Sequence, residues 1–134
     1  MKILLADPSA AFRKTLYERL REVPTATVVG QASDEDQAVF LAALCAPDLV
    51  LTELDLGRGC GFAMMERLRA AGYEGIAYMV TSADEAEYGP RCVDAGITGF
   101  YDKTYDMERL LQAVSVLAQA PVTFGQSRIR ASAV

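Results

Sequence analysis

Five short runs of mostly consecutive apolar residues recur along the chain, separated by longer stretches of helical period, and few architectures accept that rhythm. The runs are Lys2 to Ala6, Thr27 to Ala32, Asp48 to Leu54, Gly75 to Thr81 and Thr98 to Tyr101. Within them Ile3, Leu4 and Leu5, and again Leu49, Val50 and Leu51, follow one another without a polar break. A strand wetted on one side alternates apolar with polar residues, whereas a strand covered by helices on both faces does not. Strand followed by helix, five times over, predicts an α/β fold in three layers, a parallel five-stranded sheet between two sets of helices.

The intervening stretches carry readable helix faces. Phe12, Leu16 and Leu20 recur every four residues, Phe62, Met65 and Leu68 every three, and Met107, Leu110, Leu111, Val114 and Leu117 combine both spacings. Ser33 stands three residues before Asp36 and Ser82 three before Glu85. At that spacing a hydroxyl caps a free backbone N–H and the carboxylate bonds back. Asp106 is expected to cap the last helix. The fourth helix, over Asp84 to Ala95, is expected to be short, kinked or displaced, because Pro90 lacks an N–H and disfavours a helical Gly89.

The helical pattern stops near Gln119, which predicts one domain over residues 1–120. Residues 121–134, with Pro121, Gly125 and no sustained period, read as a flexible tail or truncated linker. The 134 residues carry 13 basic and 18 acidic side chains. Residues 1–120 hold 11 against 18, an acidic body that argues against direct nucleic-acid binding. No run approaches 18 apolar residues, and Asp7 follows the first one too soon for a secretory signal, so no membrane contact and a cytoplasmic location are expected.

Histidine is absent, which excludes Ser-His and Cys-His nucleophiles and every His-containing metal site. Cys45, Cys60 and Cys92 lie 15 and 32 residues apart, so neither a CxxC redox pair nor a zinc knuckle is available, and free thiols in a reducing compartment are expected. Acid–base chemistry would fall to carboxylates and lysine. The segment Asp7-Pro8-Ser9-Ala10-Ala11 has no glycine, so it cannot cradle a phosphate as nucleotide and flavin loops do. An enzyme with such a cofactor is therefore disfavoured.

In open α/β sheets the working groups gather beyond the carboxyl ends of the strands. Those ends offer Asp7, then Glu53 and Asp55, then Thr81 and Ser82, then Lys103. Taken singly, each is most simply a turn, a cap or a solvated loop residue. Together they predict one pocket holding carboxylates, hydroxyls and an ammonium group.

The segments LLAD at the start, PDLVLTEL at the third run, MVTSA at the fourth and AGITGFYDK at the fifth resemble the receiver domain of two-component response regulators, the CheY-like superfamily. The resemblance covers roughly residues 1–120. It implies a flavodoxin-like sheet in the order 2-1-3-4-5 and a non-enzymatic signalling module. It also implies a phospho-accepting Asp at the end of strand 3, an acidic pair after strand 1 that helps hold Mg²⁺, a Thr and a Lys for the phosphoryl oxygens, and a switch aromatic on strand 5. Carried over, Asp7 is the first acid of the pair, Thr81 the switch hydroxyl, Phe100 the switch aromatic and Lys103 the phosphate-binding lysine. The second acid falls on Pro8 and the phosphoacceptor position on Glu53.

These two departures imply a weak or lost Mg²⁺ site among Asp7, Glu53 and Asp55, because Mg²⁺ demands octahedral oxygen ligation and an acid is missing. Asp55, two residues beyond Glu53, is the one side chain placed to replace it. The extra methylene carries the Glu53 carboxylate about 1.5 Å further out. There it is expected either to pair with Lys103 and accept from Thr81, as a built-in phosphate mimic, or merely to neutralise Lys103 in a dead pocket. Output would pass to a protein partner across the helix 4, strand 5, helix 5 face, with Tyr88, Arg91, Phe100, Tyr101 and Met107 as exposed contacts. A histidine kinase and a second copy of the chain are the other partners expected. The rival expectation is a conventional phosphorylated receiver from a DNA-binding regulator.

Overall fold

Along the first strand Leu4 and Ala6 face one side and Ile3 and Leu5 the other, and each side meets its own apolar layer. The computed structural model describes residues 1–120. Its strands are β1 (Lys2–Ala6), β2 (Thr27–Ala32), β3 (Leu49–Thr52), β4 (Ile76–Thr81) and β5 (Gly99–Asp102). The helices between and after them are α1 (Ala10–Leu20), α2 (Glu35–Cys45), α3 (Gly61–Ala70), α4 (Glu85–Asp94) and α5 (Met107–Ala118). All neighbouring strands pair in parallel, in the order β2-β1-β3-β4-β5, which is the flavodoxin-like topology.

Two cores explain the unbroken apolar runs. Leu4, Val50 and Met79 of the sheet pack with Ala38, Met65, Leu68 and Cys92 of α2, α3 and α4. On the opposite face Ile3, Leu51 and Val80 pack with Leu16, Leu20, Leu110 and Val114 of α1 and α5. Neither face of a central strand meets water, so neither needs polar alternation. The C-terminal tail expected over residues 121–134 lies outside the described residues.

Several local expectations need correction. Asp34, not Ser33, caps α2, its carboxylate accepting from Gln37 N at 2.8 Å, while Ser33 bonds through its N–H and hydroxyl to Gln37 Oε1. Asp84 likewise replaces Ser82 as the cap of α4, accepting from Ala86 N at 3.0 Å. In both places an Asp stands nearer the first helical residue than the Ser does, and its carboxylate is the stronger acceptor. Asp106 occupies the cap position of α5 but spends its carboxylate on Asp102 N and Arg109, closing the turn before the helix. β3 is shorter than the run from Asp48 to Leu54, since the chain turns away after Thr52. Pro90 does not shorten α4, which runs ten residues, as long as α3. It forfeits one hydrogen bond of the helix, and only Cys92 of α4 is buried. Among the described residues no helix is long and apolar enough to cross a membrane.

Candidate functional site

Register builds the site. Ala6 pairs with Thr52 across β1 and β3, so the next residues, Asp7 and Glu53, leave the sheet side by side, with Glu53 N bonded to Ala6 O. Thr81 pairs with Asp102 across β4 and β5, and Lys103 N then bonds to Thr81 O. From there the Lys103 side chain reaches back over the sheet edge. Its ammonium lies 2.7 Å from Asp7 Oδ2 and 2.8 Å from Glu53 Oε1, and 4.5 Å from the centre of the Phe12 ring.

All three charges are largely withdrawn from water, their side chains being 6% exposed at Asp7, 12% at Glu53 and 18% at Lys103. Burial alone would lower the Lys103 pKa, but the hydrogen bonds and charges of Asp7 and Glu53 outweigh it and hold the ammonium above the ordinary lysine range. The remaining carboxylate oxygens have backbone partners. Asp7 Oδ1 accepts from Ser9 N at 2.8 Å and Glu53 Oε2 from Leu54 N at 2.6 Å. The space enclosed beside them is about 10 Å³, room for one water at most.

α1 supplies groups that the sequence pattern assigned to packing or left unremarked. Phe12 belongs to the apolar face of α1, yet its ring also covers the Lys103 ammonium. Arg13 donates to the Asp7 carbonyl, and its buried Nε has no partner among the described residues. Their signal was position alone, five and six residues past Asp7, where the first turns of α1 pass the strand end. Below the site, α3 approaches closely: a Cβ on Gly61 would stand 2.6 Å from the Glu53 carbonyl oxygen.

The other expected members are placed differently. Asp55 is exposed, and its carboxylate accepts from Gly57 N at 2.8 Å inside the β3–α3 loop, so it does not join Asp7 and Glu53. Thr81 is buried, but its hydroxyl accepts from Ala83 N at 3.2 Å, and no bond to Glu53 is present among the described residues. Ser82 is exposed. A divalent ion does not fit this donor set. Both carboxylates are engaged by Lys103, Pro8 has no side-chain ligand atom, and among the described residues no three acidic or thiol groups converge.

On the expected docking face, Phe100 is half-buried against the α2–α3–α4 core and Met107 against the other. Tyr101 is not an exposed contact. It is 7% exposed and packs its ring 5.3 Å from that of Tyr78, because β5 turns it towards α5 while Phe100 faces α4. Tyr88 is half-buried near Phe62, and Arg91 is exposed with its guanidinium over the Phe62 ring. The large apolar side chains that α4, α5 and the turn before α5 do expose are Val93, Tyr105 and Val116.

A family model described as the response regulator receiver domain matches residues 3–115. Among curated proteins, the nitrate/nitrite response regulator protein NarL of Escherichia coli is 26% identical, over 93% of this chain and 58% of its own length. The DNA-binding transcriptional activator EvgA of the same species is 29% identical, over 65% of this chain and 43% of its length. The chain thus spans about half the length of these relatives. Among solved structures, a LuxR-family two-component response regulator from an Aurantimonas species superimposes with a TM-score of 0.81 at 23% identity, over 87% of this chain and 84% of that one.

Proposed function

Because the chain belongs to the response regulator receiver domain family, we propose that it is a receiver that signals by contact with another protein, without accepting a phosphoryl group. The observation that carries this reading is the Lys103 ammonium held between Asp7 and Glu53. Phosphoryl transfer depends on positioning and on neutralising the charge of the transferred group. Here the cation that would meet that group is already neutralised by two carboxylates. The attacking position carries a longer acid whose second oxygen is tied to Leu54 N.

Output then runs through α4, β5 and α5, where Phe100 is half-buried and Val93, Tyr105 and Val116 are exposed. The relatives are regulators, one described as DNA-binding. Treating the chain with Mg²⁺ and a small-molecule phosphodonor and recording its intact mass tests the reading. An unchanged mass is expected, and a stoichiometric phosphoryl adduct mapped to Glu53 or Asp55 would establish the conventional receiver instead.

A second reading, that Glu53 mimics a phosphoryl group, draws on its contact with Lys103 but lacks the bond to Thr81. Glu53→Gln separates the two. Large amide shifts at Thr81 and Phe100 would favour the mimic, and unchanged ones the inert pocket.

A further inference from the structure

Every residue of α2 from Ala38 to Cys45 is apolar, so the helix keeps no polar side beyond its first turn. Ala38 and Ala42 are buried against the sheet, while Phe40 and Leu44, one turn apart, are 66% and 69% exposed. A surface helix ordinarily turns charge to the solvent, and one that is apolar all round is a helix that something covers. Beside this ridge, between α2 and the end of α3, runs an open groove of about 410 Å³ walled by Val39, Ala42, Ala43, Leu68 and Ala71.

We propose that this face is a contact between two copies of the chain, α2 against α2 about a two-fold axis. One helix bears both the ridge and a wall of the groove, so a two-fold lays the ridge of each copy along the groove of the other. Charge points to a second copy as the occupant. The chain carries a formal charge of -5, which sets two copies against each other over much of their surface, but α2 has no charged residue after Asp36. Charge also selects the direction. Parallel helices would bring two acidic first turns, Asp34 to Asp36, face to face. Antiparallel helices set each acidic turn against the mixed-charge end of the other, where Lys2 directs its ammonium to Cys45 O and Glu74 is exposed. That crossing, centred on Ala42, puts Phe40 of one copy beside Leu44 of the other. Area sets the strength. Phe40 alone leaves open about 130 Å² of the roughly 200 Å² that an aromatic side chain carries. With Leu44 and the exposed alanines the pair would bury about 800 Å², short of the roughly 1,200 Å² of a stable complex, so the dimer is weak and reversible. Nothing in this contact depends on what the Asp7–Glu53–Lys103 site does.

Sedimentation equilibrium of the full 134-residue chain, from about 10 μM to 2 mM, tests it. The mean mass should rise from one chain towards two, with a dissociation constant of about 0.1–1 mM. Phe40→Ser with Leu44→Ser, at positions outside both cores, should weaken association by about tenfold or more. Tyr105→Ser with Val116→Ser, which alters the exposed apolar groups before and on α5, should leave it unchanged. On dilution of the parent, the amides of Val39 to Leu44 and of Ala71 should shift. A chain that stays monomeric throughout would overturn the proposal and leave the α2 face to a different protein. A dimer untouched by the α2 variant, or abolished by the Tyr105 and Val116 variant, would overturn it by placing the contact elsewhere.

Discussion

Lys103 Nζ stands 2.8 Å from Glu53 Oε1 while also 2.7 Å from Asp7 Oδ2, so a single, partly buried cation holds two carboxylates that leave adjacent strands side by side. Removing it as Lys103→Met strands two like charges away from water. The expected loss is about 3 kcal/mol at pH 7. Adding Glu53→Gln should recover part of it, with a coupling of about 1–2 kcal/mol between the two changes in urea denaturation. Simple additivity would contradict a shared network.

Alkaline pH should unfold the chain through identifiable groups. Lys103 has its pKa raised above the unfolded value by Asp7 and Glu53 against the pull of burial, so its stabilisation is complete below about pH 10.4 and fades as pH rises through the folded value. Burial raises Tyr78 and Tyr101 as well, and since their neutral form is the one favoured in the fold, stability again falls once pH passes about 10. Stability should decline steeply above pH 10, less so in Tyr78→Phe. Spectrophotometric titration should show Tyr78 and Tyr101 ionising late, with the late component reduced in Tyr78→Phe.

Gly61 opens α3 directly behind the site, and Gly61→Ala sets two effects against each other. Helix propensity favours Ala by about 1 kcal/mol. The new Cβ would stand 2.6 Å from the backbone oxygen of Glu53, which cannot swing aside, and such overpacking costs about 1–3 kcal/mol. Net destabilisation is expected, with the amides of Glu53 and Leu54 the most displaced.

Arg69 donates to three carbonyls, those of Tyr73 at 3.1 Å and of Gly75 and Gly96 at 2.8 Å. A lysine cannot span them, because the contacts use both arms of a planar fork. Arg69→Lys should cost about 2 kcal/mol despite keeping the charge, and thermal unfolding would reveal it.

Restoring the acids missing by the family pattern should restore chemistry only when both return. Pro8→Asp with Glu53→Asp is expected to take a phosphoryl adduct from a small-molecule donor in Mg²⁺, detectable by intact mass. Glu53→Asp alone is expected to stay unlabelled, since one carboxylate fewer leaves the ion poorly held. Labelling of the single variant would show that Pro8 is not what disables the pocket.

How much of this was legible depended on whether backbone or side chain decided. β1 and β2 begin and end where the apolar runs do, because burial on both faces leaves no other use for Ile3-Leu4-Leu5. Asp7, Glu53 and Lys103 meet because strand register brings them together, and strand ends are readable. What misled was competition at short range. Asp34 and Asp84 outbid the serines beside them for helix N–H groups, and Asp55 found Gly57 N in its own loop before it could reach the pocket. Tyr101 sat next to Phe100 in the sequence with nothing to say which would face inward on an edge strand.

The Arg69 clamp also decides how α4 can move. It grips the Gly96 carbonyl just past the helix end, and Cys92, the one buried residue of α4, lies nearby. The opposite end, Glu85 to Glu87, is exposed and follows directly on Thr81 and Ser82. The Cys92–Gly96 end of α4 is thus the end pinned to α3, and the end that follows Thr81 holds no buried residue of the helix, so the two ends are unequally anchored.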